Sequence, residues 1–259
     1  MAIVVVTGAA GVMGRAVTPL LAGRHRLRLV DLELPDHADG TWTRCSVTDA
    51  ESFAAVLEGA DALVHLAGIS TEAPWDDLLQ VNIDGTKRVL EAAHHAGVRR
   101  VLLASSIHAG GYLTGTTADV RASRPDSYYG VSKVAMEALG SLFADRYGMC
   151  VVSARICTFG REPSAGRTVA TWLSVADTVR LIEAVVALDT PGHHLVWGVS
   201  ANSPGWFPLE AGKCIGYQPE DDAVQRLAEI HGGMLEPPDP RSPLGGPFLD
   251  LPLGGVPSR

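Results

Sequence analysis

Tyr129 and Lys133 stand four residues apart, so on a helix a phenol and an ammonium share one face. A cation beside a phenol favours the phenolate, which makes the pair a general base near neutral pH and leaves the lysine able to hold a ribose hydroxyl. Tyr128 has Ser132 at the matching position and lacks such a partner. A YxxxK spacing arises in many helices by chance, and its weight here comes from what precedes it. Ser105 and Ser106 close an apolar run, where a serine hydroxyl can bond the reacting oxygen beside the tyrosine.

A second constellation lies at the start of the chain. Gly8, Gly11 and Gly14 form a GxxGxxG turn directly after an apolar run, with Val12 and Met13 inside it. Glycines there let the backbone approach a pyrophosphate seated on the N–H groups of a helix N-terminus. Asp31 ends the next apolar run, 17 residues after Gly14, placed to accept from a ribose hydroxyl and to repel a 2′-phosphate, which selects NAD over NADP. Arg24, Arg26 and Arg28 nearby are read as solvated charge rather than as phosphate ligands.

These residues need elements to position them. β-branched runs at 3–7, 27–31, 62–66, 101–105 and 151–155 predict strands buried on both faces. The stretches 11–22, 50–57, 75–96 and 127–147 carry apolar residues at helical spacing. This alternation predicts an α/β fold, a Rossmann-type doubly wound parallel sheet with a small C-terminal substrate-binding portion. After Arg155 a loop holds Pro163, Gly166 and Arg167, and then Ser174 with Asp177 caps a helix from Val175, followed by a strand at 195–197. Past Ala201 the chain is rich in Pro and Gly, ending in a tail from Pro237 expected to run extended over the surface, covering the pocket or reaching a neighbouring subunit. The chain is thus read as a nucleotide-binding part, 1–155, and a substrate-pocket part, 156–259, on one domain.

Composition excludes several classes of function. With 259 residues, 46% hydrophobic and 19% charged, and no low-complexity tract, the chain can build a proper core. The balance of 21 basic and 29 acidic residues, −8 overall, offers no stripe for a nucleic acid backbone. Cys45, Cys150, Cys157 and Cys214 lack CxxC or Cys/His spacing, which points to reduced thiols in the cytoplasm and to no metal. No apolar run approaches the roughly 20 residues that span a bilayer, so no membrane partner is expected.

Together the glycine turn, Asp31, Ser106, Tyr129 and Lys133 resemble the extended short-chain dehydrogenase/reductase family, of the NAD-dependent epimerase/dehydratase type, across the whole sheet. The resemblance implies an NAD-binding enzyme with a Ser106, Tyr129, Lys133 triad. It implies cofactor contacts from Gly8, Gly11, Val12, Met13, Gly14, Asp31, Leu32, Ser46, Val47, Leu66, Ala67, Lys133 and Thr158, and a supporting role for Asn82. Only 104 residues follow Arg155, fewer than a sugar-nucleotide lobe needs. Segments 65–70, 104–108, 155–156, 162–163 and 196–202, with Arg167 ahead of Thr171 and Trp172, are similar to family members that oxidise C1 of a hexuronic acid to an aldarolactone. That likeness implies a small sugar-acid substrate held by Ser70, Ser106, Ile107, His108, Tyr129 and Arg167, with the guanidinium forked onto a carboxylate, in an enzyme that self-associates. His65, at a strand end, is expected in the core.

Two positions depart from that pattern. Ile107 stands where those members have asparagine, removing a hydrogen-bonding group from the pocket, and Ser46 stands where they have an adenine-side aspartate. An epimerase, dehydratase or dehydrogenase for another small sugar is the alternative. A non-catalytic NAD-binding regulator would lack the tyrosine or the lysine, and both are present.

Overall fold

Strands of this chain are buried on both faces because alternate side chains feed two separate helical layers. In β1 (Ile3–Thr7), Val4 and Val6 join one apolar cluster and Val5 the other, all fully buried. The computed structural model describes residues 1–36, 38–231 and 238–255. The sheet adds β2 (Arg26–Asp31), β3 (Trp42–Arg44), β4 (Ala62–His65), β5 (Arg100–Ser106), β6 (Cys150–Ile156) and β9 (Gly192–Gly198). Its seven strands run in the order β3-β2-β1-β4-β5-β6-β9 and every pairing is parallel. All seven C-termini therefore open on one edge, where open α/β sheets bind ligands.

One layer packs α1 (Val12–Ala22) beside α7 (Val175–Ala187), and the other holds α2 (Ala50–Leu57), α4 (Gly85–His95) and α5 (Tyr128–Tyr147). The caps sit where the residue types put them. Ser174 Oγ accepts from Asp177 N at 2.9 Å, and Ser127 Oγ accepts from Gly130 N at 2.9 Å, so α7 and α5 start as expected. The remaining short elements are α3 (Trp75–Leu78), α6 (Thr168–Thr171), and a two-stranded ribbon of β7 (Thr158–Phe159) and β8 (Trp172–Leu173).

Besides β3 and the β7–β8 ribbon, which no apolar run predicted, the sequence and the structure differ in three places. The helix expected over 75–96 is broken into α3, a π-turn at Leu79–Asp84, and α4. The π-turn contains Asn82, whose amide bonds Ile69 N and O at 2.8 and 3.0 Å and Ser132 Oγ at 3.0 Å, and such one-turn widenings cluster at functional sites. In the Pro- and Gly-rich region past Ala201, the chain forms α8 (Glu210–Cys214) and α9 (Ala223–His231). The tail, whose first residue Pro237 lies outside the described residues, is no loose surface strand. Leu244 is fully buried, Leu244 N bonds Leu113 O at 2.7 Å and Gly245 N bonds Gly111 O at 2.8 Å, so the segment is pinned across the strand ends.

Behind the site, Arg155 of β6 and Glu137 of α5 form a buried bidentate pair, with N···O distances of 2.8 and 2.7 Å, and Ser105 Oγ of β5 donates to the same carboxylate at 2.5 Å. The pair locks α5 to the two strands beneath it. Removing one partner leaves a buried charge uncompensated, so Glu137→Gln should cost about 3–5 kcal/mol in urea unfolding. A loss below about 1 kcal/mol would show that the pair does not hold the layers together.

Candidate active site

The nucleotide side of the site is built by the ends of β1, β2, β3 and β4. Gly8 has φ +69, and a Cβ there would lie 2.6 Å from Ala67 N, so only glycine lets the turn pack against the segment after β4. Gly11 begins α1 with no side-chain cap and no acidic residue in the first turn, leaving its dipole open to an anion. Val12 is 80% exposed beside it. Asp31 accepts from Ala10 N and Leu32 N, both at 2.8 Å, which fixes its carboxylate at the lip of the turn. Arg28 is turned away, donating to Val56 O and Glu58 O at 2.7 and 2.6 Å. Ser46, after β3, bonds Thr48 Oγ1 at 2.7 Å, and Val47 is buried beside it. These residues fit a dinucleotide: an anion seat, a carboxylate at ribose distance in sequence, and an exposed apolar rim.

Ser106, Tyr129 and Lys133 come together at the ends of β5 and α5, all about 95% buried. Ser106 caps the 3₁₀ turn Ile107–Gly110, accepting from His108 N at 3.2 Å. That turn rests directly on α5, because a Cβ on Gly130 would strike His108 O. Lys133 Nζ donates to Ala104 O at 2.8 Å and lies 5.5 Å from the Tyr129 ring centre. His108 stands edge-on to Tyr129, ring centres 5.8 Å apart.

Electrostatics here runs against one expectation from sequence. Burial pushes Tyr129 up to about 12, with the Ser106 hydroxyl opposing and Asp126 adding to the rise. Desolvation outweighs any help from Lys133, whose ammonium is spent on a carbonyl and is itself pulled down to about 8 by burial despite Glu137. The tyrosine of this state is a phenol.

Of the residues expected around a sugar, Ser106, His108 and Tyr129 are brought together. Arg167 precedes α6, and its Nη2 donates to Leu244 O while its Nε is buried without a partner among the described residues. It lies within electrostatic reach of Asp126. Ser70 is exposed in the loop after β4, and Thr158 bonds Thr171 Oγ1 at 2.8 Å on the ribbon. Ile107 is 3% exposed in an apolar cluster with Leu113, Cys157 and Trp197, so it contributes no polar group.

Three residues that shape the site carried no sequence signal. Asp126 bonds His108 Nδ1 at 2.7 Å. Glu72, 1% exposed, accepts from Tyr128 N, Tyr129 N and Gly254 N at 3.3, 2.8 and 2.8 Å, tying the tail to the first turn of α5. Phe248 in that tail stacks on His108 with ring centres 3.9 Å apart and lies 6.0 Å from Tyr129. The described tail therefore roofs this site, one of the two placements left open by its composition.

Comparison with known proteins agrees with this geometry. Residues 4–175 match the NAD dependent epimerase/dehydratase family. The chain is 39% identical over 258 residues to a uronate dehydrogenase of Agrobacterium fabrum, covering 96% of this chain and 97% of that protein. It is 34% identical over 248 residues to an NAD-dependent glucose-6-phosphate dehydrogenase of Haloferax volcanii, covering 86% and 94%. It superposes on the crystal structure of a tyrosine-to-alanine mutant of uronate dehydrogenase from Agrobacterium tumefaciens complexed with NAD, with a TM-score of 0.88, 37% identity and 98% of each chain covered. The chain belongs to the NAD-dependent epimerase/dehydratase family.

His65, in the core as expected, is 1% exposed, bonds Thr7 Oγ1 through Nδ1 at 2.8 Å, and is held down to about 3 by burial and by the Lys133 cation. As pH falls below the ordinary 6.5, the unfolded chain takes up this proton while the native one refuses it until about 3, so stability is full above 6.5 and drains below it. Denaturant midpoints measured between pH 7 and 4.5 should fall less steeply for His65→Leu than for the native chain. Parallel curves would show that His65 does not stay neutral.

Proposed function

We propose that this protein oxidises the C1 hydroxyl of a cyclic hexuronic acid, D-galacturonate or D-glucuronate, to an aldarolactone with NAD as oxidant. The observation that carries the reading is that the tail lying over the Ser106, Tyr129, Lys133 set also takes the guanidinium of Arg167, whose buried Nε has no partner among the described residues. Similarity along nearly the whole chain to uronate dehydrogenases supports it.

Gly8, Gly11, Val12, Met13, Gly14, Asp31, Leu32, Ser46, Val47, Leu66, Ala67, Lys133 and Thr158 would hold NAD, whose nicotinamide ring supplies a positively charged hydride acceptor when bound. Asp31 excludes a 2′-phosphate by charge. Tyr129 starts as a phenol, and positive charge added to its dry surroundings favours the phenolate. As phenolate it takes the C1 hydroxyl proton while the C1 hydrogen leaves with its electron pair, and the C1–O bond becomes the lactone carbonyl. Lys133 supplies cationic charge within reach of the ring, and Ser106 steadies the substrate oxygen. Arg167 anchors the C6 carboxylate and so turns C1 toward Tyr129.

Ile107 favours a second reading, oxidation of a neutral or phosphorylated aldose at the same carbon, because the turn after β5 lacks an amide for a sugar hydroxyl. The protein is read as cytoplasmic and self-associating. All four cysteines are unpaired, no helix among the described residues is long and apolar enough to cross a membrane, and Trp75, Leu79 and Val131 expose apolar surface near the start of α5. The part 156–259 then supplies Arg167 and the roof, and 1–155 the cofactor cradle.

Tyr129→Phe should lose about 10²–10⁴ in kcat while still binding NADH. Arg167→Ala should raise KM for uronates and leave kcat nearly unchanged. Undiminished turnover in the first variant, or an unchanged KM in the second, would remove that residue from its role.

A further inference from the structure

The carboxylate of Asp126 is buried beside the site and serves no helix cap of its own. Its side chain has no exposed surface, while that of His108 is 14% exposed. One oxygen meets His108 Nδ1 at 2.7 Å and the other accepts from Ser127 Oγ at 2.8 Å. The backbone leaves room for it on two sides, since a Cβ on either Gly111 or Gly245 would land on its Oδ2. The imidazole is fixed in plane as well, with Phe248 stacked on it at a tilt of 32° and its own main-chain N–H held by Ser106. Three separate parts of the chain, 106–111, 126–127 and 245–248, thus converge to hold one histidine ring.

We propose that Asp126 is a positioning residue which locks His108 in the Nδ1–H tautomer, leaving Nε2 bare to accept a hydrogen bond from a hydroxyl of the bound sugar. An ionised carboxylate only accepts, so the proton between the two groups belongs to Nδ1. His108 Nε2 has no hydrogen-bond partner among the described residues, and with Ile107 turned into the core the ring is the polar group this turn offers to a ligand. The arrangement has the logic of a carboxylate that orients a catalytic histidine: exchanging the acid for its amide keeps the shape and reverses the tautomer. In Asp126→Asn the amide can donate to Nδ1, which moves the proton to Nε2 and turns an acceptor into a donor. The tautomer stands on geometry alone, whereas the sugar hydroxyl rests on the function proposed above.

Two readouts separate these claims. Spectra of the ¹⁵N-histidine-labelled protein, with His108 assigned by the signal lost in His108→Ala, should show Nδ1 protonated and Nε2 bare in the native chain, and the reverse in Asp126→Asn. With the sugar that the enzyme oxidises, Asp126→Asn should lower kcat/KM by about 10–100-fold, chiefly through KM, with NADH affinity unchanged. The same substitution in a His108→Ala background should have a much smaller effect, limited to the charge that Asp126 places near Tyr129 and Arg167, because the carboxylate acts chiefly through the ring. An Nε2-protonated ring in the native chain overturns the proposal, as does an effect of Asp126→Asn that adds fully to that of His108→Ala. If Asp126→Asn does not fold, the native spectrum still decides. A sugar other than a uronate as substrate would refute the preceding proposal and leave this one standing.

Discussion

The first turn of α5 carries three N–H groups that must be satisfied in a place with almost no water, and the residues that satisfy them organise the site. Glu72 takes the N–H groups of Tyr128 and Tyr129, Ser127 takes that of Gly130, and the same Glu72 carboxylate reaches Gly254 of the tail. A buried carboxylate with no cationic partner among the described residues is tolerable here because it accepts several N–H bonds at the positive end of a helix. Through it, the position of Tyr129 and the placement of the tail become one structural fact.

Closure sets the chemistry. Burial, to which Phe248 of the tail contributes a neighbouring ring, pushes Tyr129 from its ordinary 10.0 up to about 12, against ionisation. On the reading proposed above, that cost is what positive charge brought by the ligands would have to offset. Arg167 takes part in both events, since the guanidinium that holds Leu244 of the tail also has an unspent buried Nε. The buried Arg155 and Glu137 pair supplies the rigid floor, one helical turn further along the face that carries Tyr129 and Lys133.

Much of this was legible in the amino-acid sequence, because it is local. The GxxGxxG turn, the apolar strands, the Ser174 cap and the Tyr129 to Lys133 spacing depend on neighbours within a few residues, and they appear in the structure where the pattern put them. Other features depend on contacts that a pattern does not carry. Asp126 gains its meaning from His108, 18 residues away, and Glu72 from Tyr129, 57 away. Phe248 meets His108 across 140 residues of chain. The π-turn at Asn82 is not visible in sequence because its apolar spacing is that of an ordinary helix, while the Asn82 amide bonds to Ile69 and Ser132, distant in the chain. The upward push on Tyr129 in this state is hidden for the same reason: a cation four residues away is visible in sequence, and desolvation is not.

The central claim is that a dry tyrosine and a guanidinium act on one sugar acid. It is tested most directly by initial rates of NADH formation from NAD with D-galacturonate, D-glucuronate, the matching neutral aldoses and glucose 6-phosphate. A charge-assisted contact of about 1.5–3 kcal/mol predicts that kcat/KM for a uronate exceeds that for its neutral aldose by roughly 10–150-fold. Equal rates for uronate and aldose, or turnover confined to the neutral or phosphorylated sugars, would contradict it.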